Sequence, residues 1–323
     1  MDPSRGEADV GGSLEVSKVG LGGYEFEDDP DWAGAREVLA ASIDAGIDWL
    51  DTAEQYFDGM NELTIGRALR DIGAEMTIST KVAPAPEGSG FTAEQIRKAC
   101  LTSLERLGVE RVEMYLLHWP DATGVPLEET WASMRRLVDD GLAGRVGLSN
   151  FDRDQIERCI AVGPVDLIQE GLSPIDHLET RELARWCAGR GIAVVTYEPL
   201  ANGMLAGAIR APEDFARVVE DYEEWPFWKR LFSPGRFERS EAVADGMRAV
   251  ADRLGCTLAQ VAIAWNLHQP GVTATLAGTR NPAHIRADAA AASIGLTDDD
   301  LAELDALLPL GPTFAADGAG GEG

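Results

Sequence analysis

The chain has 323 residues, 45% of them apolar, enough to build one large core or two ordinary ones. Its 55 acidic side chains against 28 basic ones leave a formal net charge of −27, a field that repels nucleic acid and anionic membranes and excludes both as expected partners. No run of about 18 apolar residues suggests a membrane span, "MDPSRGEADVGG" lacks the features of a signal peptide, and Cys100, Cys159, Cys187 and Cys256 are widely separated, so a soluble cytoplasmic protein with reduced thiols is expected.

Residues 1–12 and 311–323 are polar and glycine-rich, and both are expected to be mobile flanks of one domain over 13–310. The first apolar run, "KVGLGG" at 18–23, reads as a strand, and the acidic "YEFEDDPD" at 24–31 follows it. Such a charge run is ordinarily solvated, although it would also favour a cationic substrate. The second strand, "IDWLD", ends on Asp51, with Tyr56 five positions beyond. In "NELTIGRALRDIG", Leu63, Ile65, Ala68, Leu69 and Ile72 recur at helical spacing, with Asn61 as the expected N-cap and Gly73 past the end. Further strands follow: "MTISTK" ends on Lys81, "VEMYLLH" on His118, "GRVGLSN" on Ser149 and Asn150, "VDLIQ" on Gln169 and "IAVVTY" on Tyr197. The segment 213–237, with "EEWPFWKRLF", is expected to fold over whatever lies at these strand ends. The last strand, "VTATLAG", runs into "GTRNPAHIRADAAA", where Asn281 is the expected cap and Pro282 the first helical residue.

Strands alternating with helices imply a parallel sheet, and eight such units in one chain favour a closed (β/α)8 TIM barrel over an open doubly wound sheet. In a barrel the strand ends converge on one mouth. A single strand-end Asp is ordinarily a cap, a single Lys a solvated charge and a single His a core or turn residue. Polar or ionisable side chains on six successive strand ends are hard to ascribe to capping.

Hydrolytic metal chemistry is disfavoured, because the chain has four histidines and none in H-x-H or H-E-x-x-H form. No G-x-S-x-G elbow is present, and no second strand-end acid partners Asp51 as a glycosidase requires. A tyrosine beside a lysine has a different use. An unperturbed phenol has a pKa of about 10, and a neighbouring ammonium lowers it. Asp51 would hold the lysine, and a neutral His118 would orient a carbonyl oxygen. Such a set protonates an oxygen while a hydride attacks the carbon. A Schiff-base aldolase using Lys81 is the alternative enzyme reading.

The runs "DTAEQY", "STK", "LLHWPD", "VGLSNF", "LIQEGLSP", "TYEPLANGML" and "LAGTRNP" occur in the order found in the aldo-keto reductase superfamily. The chain resembles that superfamily over roughly 14–309. The resemblance implies a barrel that binds NADPH without a Rossmann domain, in keeping with the lack of a G-x-G-x-x-G after any strand. It implies a catalytic tetrad of Asp51, Tyr56, Lys81 and His118, with Tyr56 the general acid in reduction and the base in oxidation. It places Ser149, Asn150 and Gln169 on the nicotinamide carboxamide and Tyr197 against the nicotinamide ring. Pro199, Leu200, Gly203 and Leu205 would follow the pyrophosphate, and Arg280 would meet the 2′-phosphate. Gly23, Gly278, Thr279, His284 and Asp288 complete the implied cofactor set, and Tyr24, Phe57 and Trp119 would line the substrate pocket. The chain departs from the family at Ala287 and Asp288, which replace a frequent Glu-Asn pair, at Glu198 in place of serine, and at Ala277 in place of proline. The expected activity is NADPH-dependent reduction of an aldehyde, ketone or sugar-derived carbonyl. A cofactor-binding regulatory subunit resembling potassium-channel β subunits is the alternative outside catalysis, and the oligomeric state stays open.

Overall fold

Each of the eight expected runs forms a strand in the computed structural model, which describes residues 7–11, 14–26, 33–83, 91–121, 124–211, 214 and 235–308. The strands are β3 (Val19–Gly22), β4 (Trp49–Asp51), β5 (Thr77–Val82), β6 (Val112–Leu117), β7 (Ala143–Ser149), β8 (Leu167–Gly171), β9 (Ala193–Tyr197) and β10 (Ala274–Gly278). They pair in parallel from β3 to β10, and β10 closes on β3 through the register Thr275↔Val19 to Gly278↔Gly22. The fold is a (β/α)8 TIM barrel.

Ten helices are described: α1 (Ala33–Asp44), α2 (Met60–Ile72), α3 (Ala93–Leu107), α4 (Leu127–Asp139), α5 (Arg153–Val162), α6 (Leu178–Ala188), α7 (Phe237–Leu254), α8 (Leu258–Leu267), α9 (Pro282–Ala290) and α10 (Asp298–Leu307). Local chemistry starts several of them. Thr92 with Gln95, Asp152 with Gln155, and Thr257 with Gln260 form reciprocal capping boxes on α3, α5 and α8, each satisfying two amides that the first turn leaves open. Apolar faces then pack against the outside of the barrel, where Tyr115 and Leu117 of β6 meet the helices while Met114 and Leu116 fill the interior. No helix among the described residues is long and apolar enough to cross a membrane.

The N-terminal segment differs from expectation within its described part. β1 (Glu7–Asp9) pairs antiparallel with β2 (Glu15–Ser17), and Ala8, Val10 and Val16 are buried against Trp49, Met114, Leu167 and Leu276. Alternation of exposed carboxylates with small apolar residues lets this hairpin plug the amino-terminal end of the barrel. Trp49 donates its indole N–H to the Ser17 carbonyl at 2.8 Å. Its ring also fixes Gly20, where an added Cβ would lie 2.2 Å from the indole. Residues 1–6 and 309–323, most of the expected lid over 213–237, and residues 27–31 of the acidic run lie outside the described residues.

Two local expectations are corrected. Asn61 is not the cap of α2; Gly59, at φ 82°, occupies that position. Asn61 is buried one residue inside the helix, accepting from Thr52 Oγ1 at 2.6 Å and donating to the Gly23 carbonyl at 2.7 Å. It ties together the loops that follow β3 and β4. Gln169 does not end its strand, because β8 continues to Gly171, which pairs with Tyr197 of β9.

Candidate active site

At the carboxyl end of β4 Asp51 is buried, and Lys81 on the neighbouring β5 is fully buried. The Lys81 ammonium donates to Asp51 Oδ2, to the Thr52 carbonyl at 2.9 Å and to the Tyr56 hydroxyl at 3.4 Å. The second Asp51 oxygen accepts from Ser79 Oγ at 2.7 Å and Gln169 Nε2 at 2.8 Å. A buried charge pair persists only when its remaining hydrogen-bonding capacity is met, and these donors meet it. The period of two along β5 points both Ser79 and Lys81 inward, whereas Thr80 points outward and donates to the buried Glu62.

Tyr56 opens a short 3-10 turn, Tyr56–Gly59, in which Phe57 (φ 51°) and Asp58 (φ 53°) are left-handed. Such conformations cost roughly 1–2 kcal/mol per non-glycine residue. Here they turn Tyr56 and Phe57 toward the mouth. The Tyr24 ring stands edge-on to Tyr56, with centroids 5.0 Å apart, and lies 5.4 Å from Phe57. His118, one residue past β6, is 5.6 Å from the Tyr56 ring and stacks on Trp119 at 5.3 Å. Tyr24 and Trp119 are each about half exposed. The four residues expected to form a tetrad and the three aromatics expected beside them therefore lie together.

The electrostatics follow from burial and one charge. Burial works against the Lys81 charge, but Asp51 and Tyr56 more than offset it and hold the ammonium above its ordinary pKa. Burial pushes Tyr56 upward, with Lys81 opposing, and the net direction is up. The expected lowering of the phenol by the ammonium is thus outweighed by desolvation. His118 is pushed down to about 2, by burial first and by Lys81 second. It is a neutral imidazole at physiological pH, and its Nδ1 has no hydrogen-bond partner among the described residues.

The amides expected around a nicotinamide carboxamide are engaged with protein groups. Gln169 holds Asp51, as above. Asn150, at φ 65°, donates to the His118 carbonyl at 2.9 Å and Ser149 Oγ at 3.0 Å, and accepts from the Tyr197 hydroxyl at 2.6 Å. Tyr197 lies over Gly171, where an added Cβ would sit 3.4 Å from the ring. A signal for the Gln169–Asp51 bond was absent from the sequence, because it depends on the closure of strands separated by more than a hundred residues.

Of the loop expected along a pyrophosphate, Glu198, Ala201 and Asn202 have positive φ and Gly203 has φ 94°. Leu200 accepts from the amides of Gly203 at 3.1 Å and Leu205 at 3.0 Å, and Pro199 is buried. Leu205 is buried with Met247, Val261 and Trp265, so its side chain anchors the loop to α7 and α8. Beside the loop is a cavity of about 170 Å³ lined in part by Glu170, Asp176, Tyr197, Glu198 and Asn202. Burial pushes Glu170 up to about 8 and Glu198 up to about 7. The sequence singled out only Glu198; three carboxylates from separate segments meet here.

The last contributions come from barrel closure. Gly23 is required by packing, since its N–H donates to the Asp51 carbonyl at 2.8 Å and an added Cβ would lie 2.8 Å from that oxygen. Gly278 faces Gly22 across the β10–β3 ladder. Beyond it, Thr279 Oγ1 accepts from the Asn281 amide at 3.1 Å, and Asn281 caps α9 through the Ala283 amide at 2.9 Å. Arg280 is exposed and donates from Nε to the Glu25 carbonyl at 3.1 Å. His284 is exposed on the first turn, whereas Asp288 is buried, and burial pushes its carboxyl up to about 7.

The family model for the Aldo/keto reductase family matches residues 18–309. The chain is 27% identical over 325 residues to the NADH-specific methylglyoxal reductase of Escherichia coli (strain K12), covering 89% of this chain and 93% of that protein. It is 30% identical over 290 residues to a probable voltage-gated potassium channel subunit beta of Arabidopsis thaliana, covering 84% and 86%. Among solved structures it is similar to a glycerol dehydrogenase from Gluconobacter oxydans, with TM-score 0.81, 25% identity and coverage of 97% and 100%. An aldo-keto reductase from Klebsiella pneumoniae in complex with NADPH aligns with TM-score 0.72, 28% identity and coverage of 94% and 95%.

Proposed function

Since this chain belongs to the Aldo/keto reductase family and is an NAD(P)H-dependent oxidoreductase, we propose that it reduces an aldehyde, ketone or sugar-derived carbonyl to an alcohol, with NADPH as donor and Tyr56 as general acid. The observation that carries this reading is the buried Asp51–Lys81 pair with the Tyr56 hydroxyl 3.4 Å from the ammonium, beside a neutral His118.

The residues present fit a nicotinamide dinucleotide. The orphaned His118 Nδ1 and the exposed aromatics mark the reacting end, and the ring of Tyr197 offers a face for a second ring to stack on. Ser149, Asn150 and Gln169 would hold the carboxamide through the donor and acceptor capacity left on their side chains. The loop from Pro199 to Leu205, together with Gly278 and Thr279, would follow the phosphates to the start of α9, where helix amides and Arg280 favour anionic groups. The reduced nicotinamide supplies a hydride when bound. His118 donates a hydrogen bond to the carbonyl oxygen and orients it. Tyr56, whose raised pKa keeps its proton at neutral pH, gives that proton to the oxygen. Lys81 stabilises the phenolate left behind, and Asp51 keeps Lys81 charged and in place. Tyr24, Phe57 and Trp119 shape an apolar entrance.

A Schiff base requires a neutral lysine, whereas Lys81 has three acceptors and a raised pKa. That argues against an aldolase. The similarity to a channel β subunit supports a second reading, a regulatory protein that binds cofactor; sustained turnover with a carbonyl substrate would set it aside. Screening a carbonyl panel for NADPH oxidation tests the activity.

Arg280→Ala is expected to weaken NADPH binding by about 10-fold. A charged hydrogen bond contributes about 1.5–3 kcal/mol, and the 62% exposure of this guanidinium places the effect at the low end. NADH, which presents a hydroxyl at that point, should change far less. Fluorescence titration of both cofactors checks this, and equal losses for both would remove Arg280 from the phosphate.

A further inference from the structure

Arg280 is already engaged. Its Nε donates to the Glu25 carbonyl at 3.1 Å and lies 3.5 Å from Glu25 Oε2. The pairing is built into the barrel. Gly22 and Gly278 are register partners where β10 closes on β3, so the loop carrying Glu25 and the turn carrying Arg280 leave the barrel side by side. A Cβ on Gly278 would sit 3.7 Å from Glu25 Cγ and 3.3 Å from the Gly22 carbonyl. Glu25 is thus laid across the junction that leads into α9.

We propose that Glu25 is a specificity-determining residue that competes with the 2′-phosphate of the cofactor for Arg280 and shifts the balance toward NADH. This rests on the reading of Arg280 as the phosphate ligand. To reach Arg280, a 2′-phosphate carrying about −1.5 to −2 charge must displace the Glu25 carboxylate and then remain near it. A 2′-hydroxyl needs no cation and meets no such repulsion. The competition therefore penalises NADPH alone. The two side chains are 62% and 41% exposed, so solvent screening keeps the effect modest.

The test is a set of cofactor titrations by intrinsic fluorescence on the full chain: wild type, Glu25→Gln, Arg280→Ala, the double variant, and Glu75→Gln as a control for net charge. Glu75 is exposed and precedes β5 at the opposite end of the barrel. Glu25→Gln is expected to tighten NADPH by about 3- to 5-fold at low salt, with NADH changed by less than about 2-fold, on the scale of an exposed charge interaction. The gain should shrink as salt rises and shrink further in the Arg280→Ala background, where only direct repulsion is left, and Glu75→Gln should reproduce none of it. If Arg280→Ala weakens NADPH but Glu25→Gln leaves the NADPH-to-NADH ratio unchanged, the competition is overturned while the phosphate assignment stands. If Glu25→Gln gains equally in the Arg280→Ala background, the competition is likewise overturned and direct repulsion remains; if Arg280→Ala spares NADPH, both the competition and the phosphate assignment fall.

Discussion

Tyr56→Phe should lower turnover of the best carbonyl substrate by at least about 100-fold, the scale of a lost general acid, with folding and NADPH affinity near wild type. Only a hydroxyl is removed, the one that accepts a hydrogen bond from the Lys81 ammonium at 3.4 Å. Tyr24 stands edge-on to the same ring, with centroids 5.0 Å apart, and is half exposed, so it is not expected to replace the acid. Single-turnover kinetics with saturating cofactor separates chemistry from binding. A variant reducing substrate at close to the wild-type rate would remove Tyr56 from the acid role.

Lys81→Met should be costly in two ways. Removing one partner of a buried ion pair costs about 3–5 kcal/mol, and the donors from Ser79 and Gln169 that remain on Asp51 place the loss near the lower bound. Turnover should also fall by about 100-fold or more, because Tyr56 would have to give up its proton without a cation beside it. The double variant Lys81→Met/Asp51→Asn should be more stable than Lys81→Met alone, since no uncompensated carboxylate remains. Because the Lys81 pKa is raised in the fold, its contribution is complete below the ordinary lysine value of about 10.4 and is lost only as pH rises through the higher folded value. The contribution of the Lys81 charge itself should therefore be flat across neutral pH. The wild-type ammonium should also take no borohydride-trapped adduct from a carbonyl compound; a stable mass increase at Lys81 would instead favour the aldolase reading. A Lys81→Met variant that melts and turns over like wild type would contradict the buried pair as the organiser of the site.

The barrel was legible because each strand is a short apolar run followed by a helical segment, several of them opened by a capping residue, and only crossover helices reconcile parallel neighbours. Asp51, Lys81 and His118 were legible as polar residues at or beside the ends of apolar runs. What escaped the sequence depends on closure. The bond from Gln169 to Asp51 joins β8 to β4, and the meeting of Glu170, Asp176 and Glu198 joins segments that no spacing relates. Asn61 looked like a cap because it precedes an apolar periodicity, yet left-handed Gly59 starts the helix and frees Asn61 to clamp two loops. The hairpin of β1 and β2 was hidden by polar composition; three small apolar side chains suffice to plug the barrel. Leu205 sat in a motif that pointed to a cofactor, but its side chain belongs to the core beneath the loop.

The proposed chemistry is hydride transfer to a carbonyl carbon with the proton coming from Tyr56. Its most direct test uses NADPH deuterated at the transferring position of the nicotinamide, a panel of aldehydes, ketones and sugar-derived carbonyls, and mass spectrometry of the products. The expected product is an alcohol carrying one deuterium on the former carbonyl carbon, formed in step with cofactor oxidation by wild type and lost in Tyr56→Phe. Cofactor that binds but is not consumed with any carbonyl, or an alcohol formed without deuterium, would contradict it.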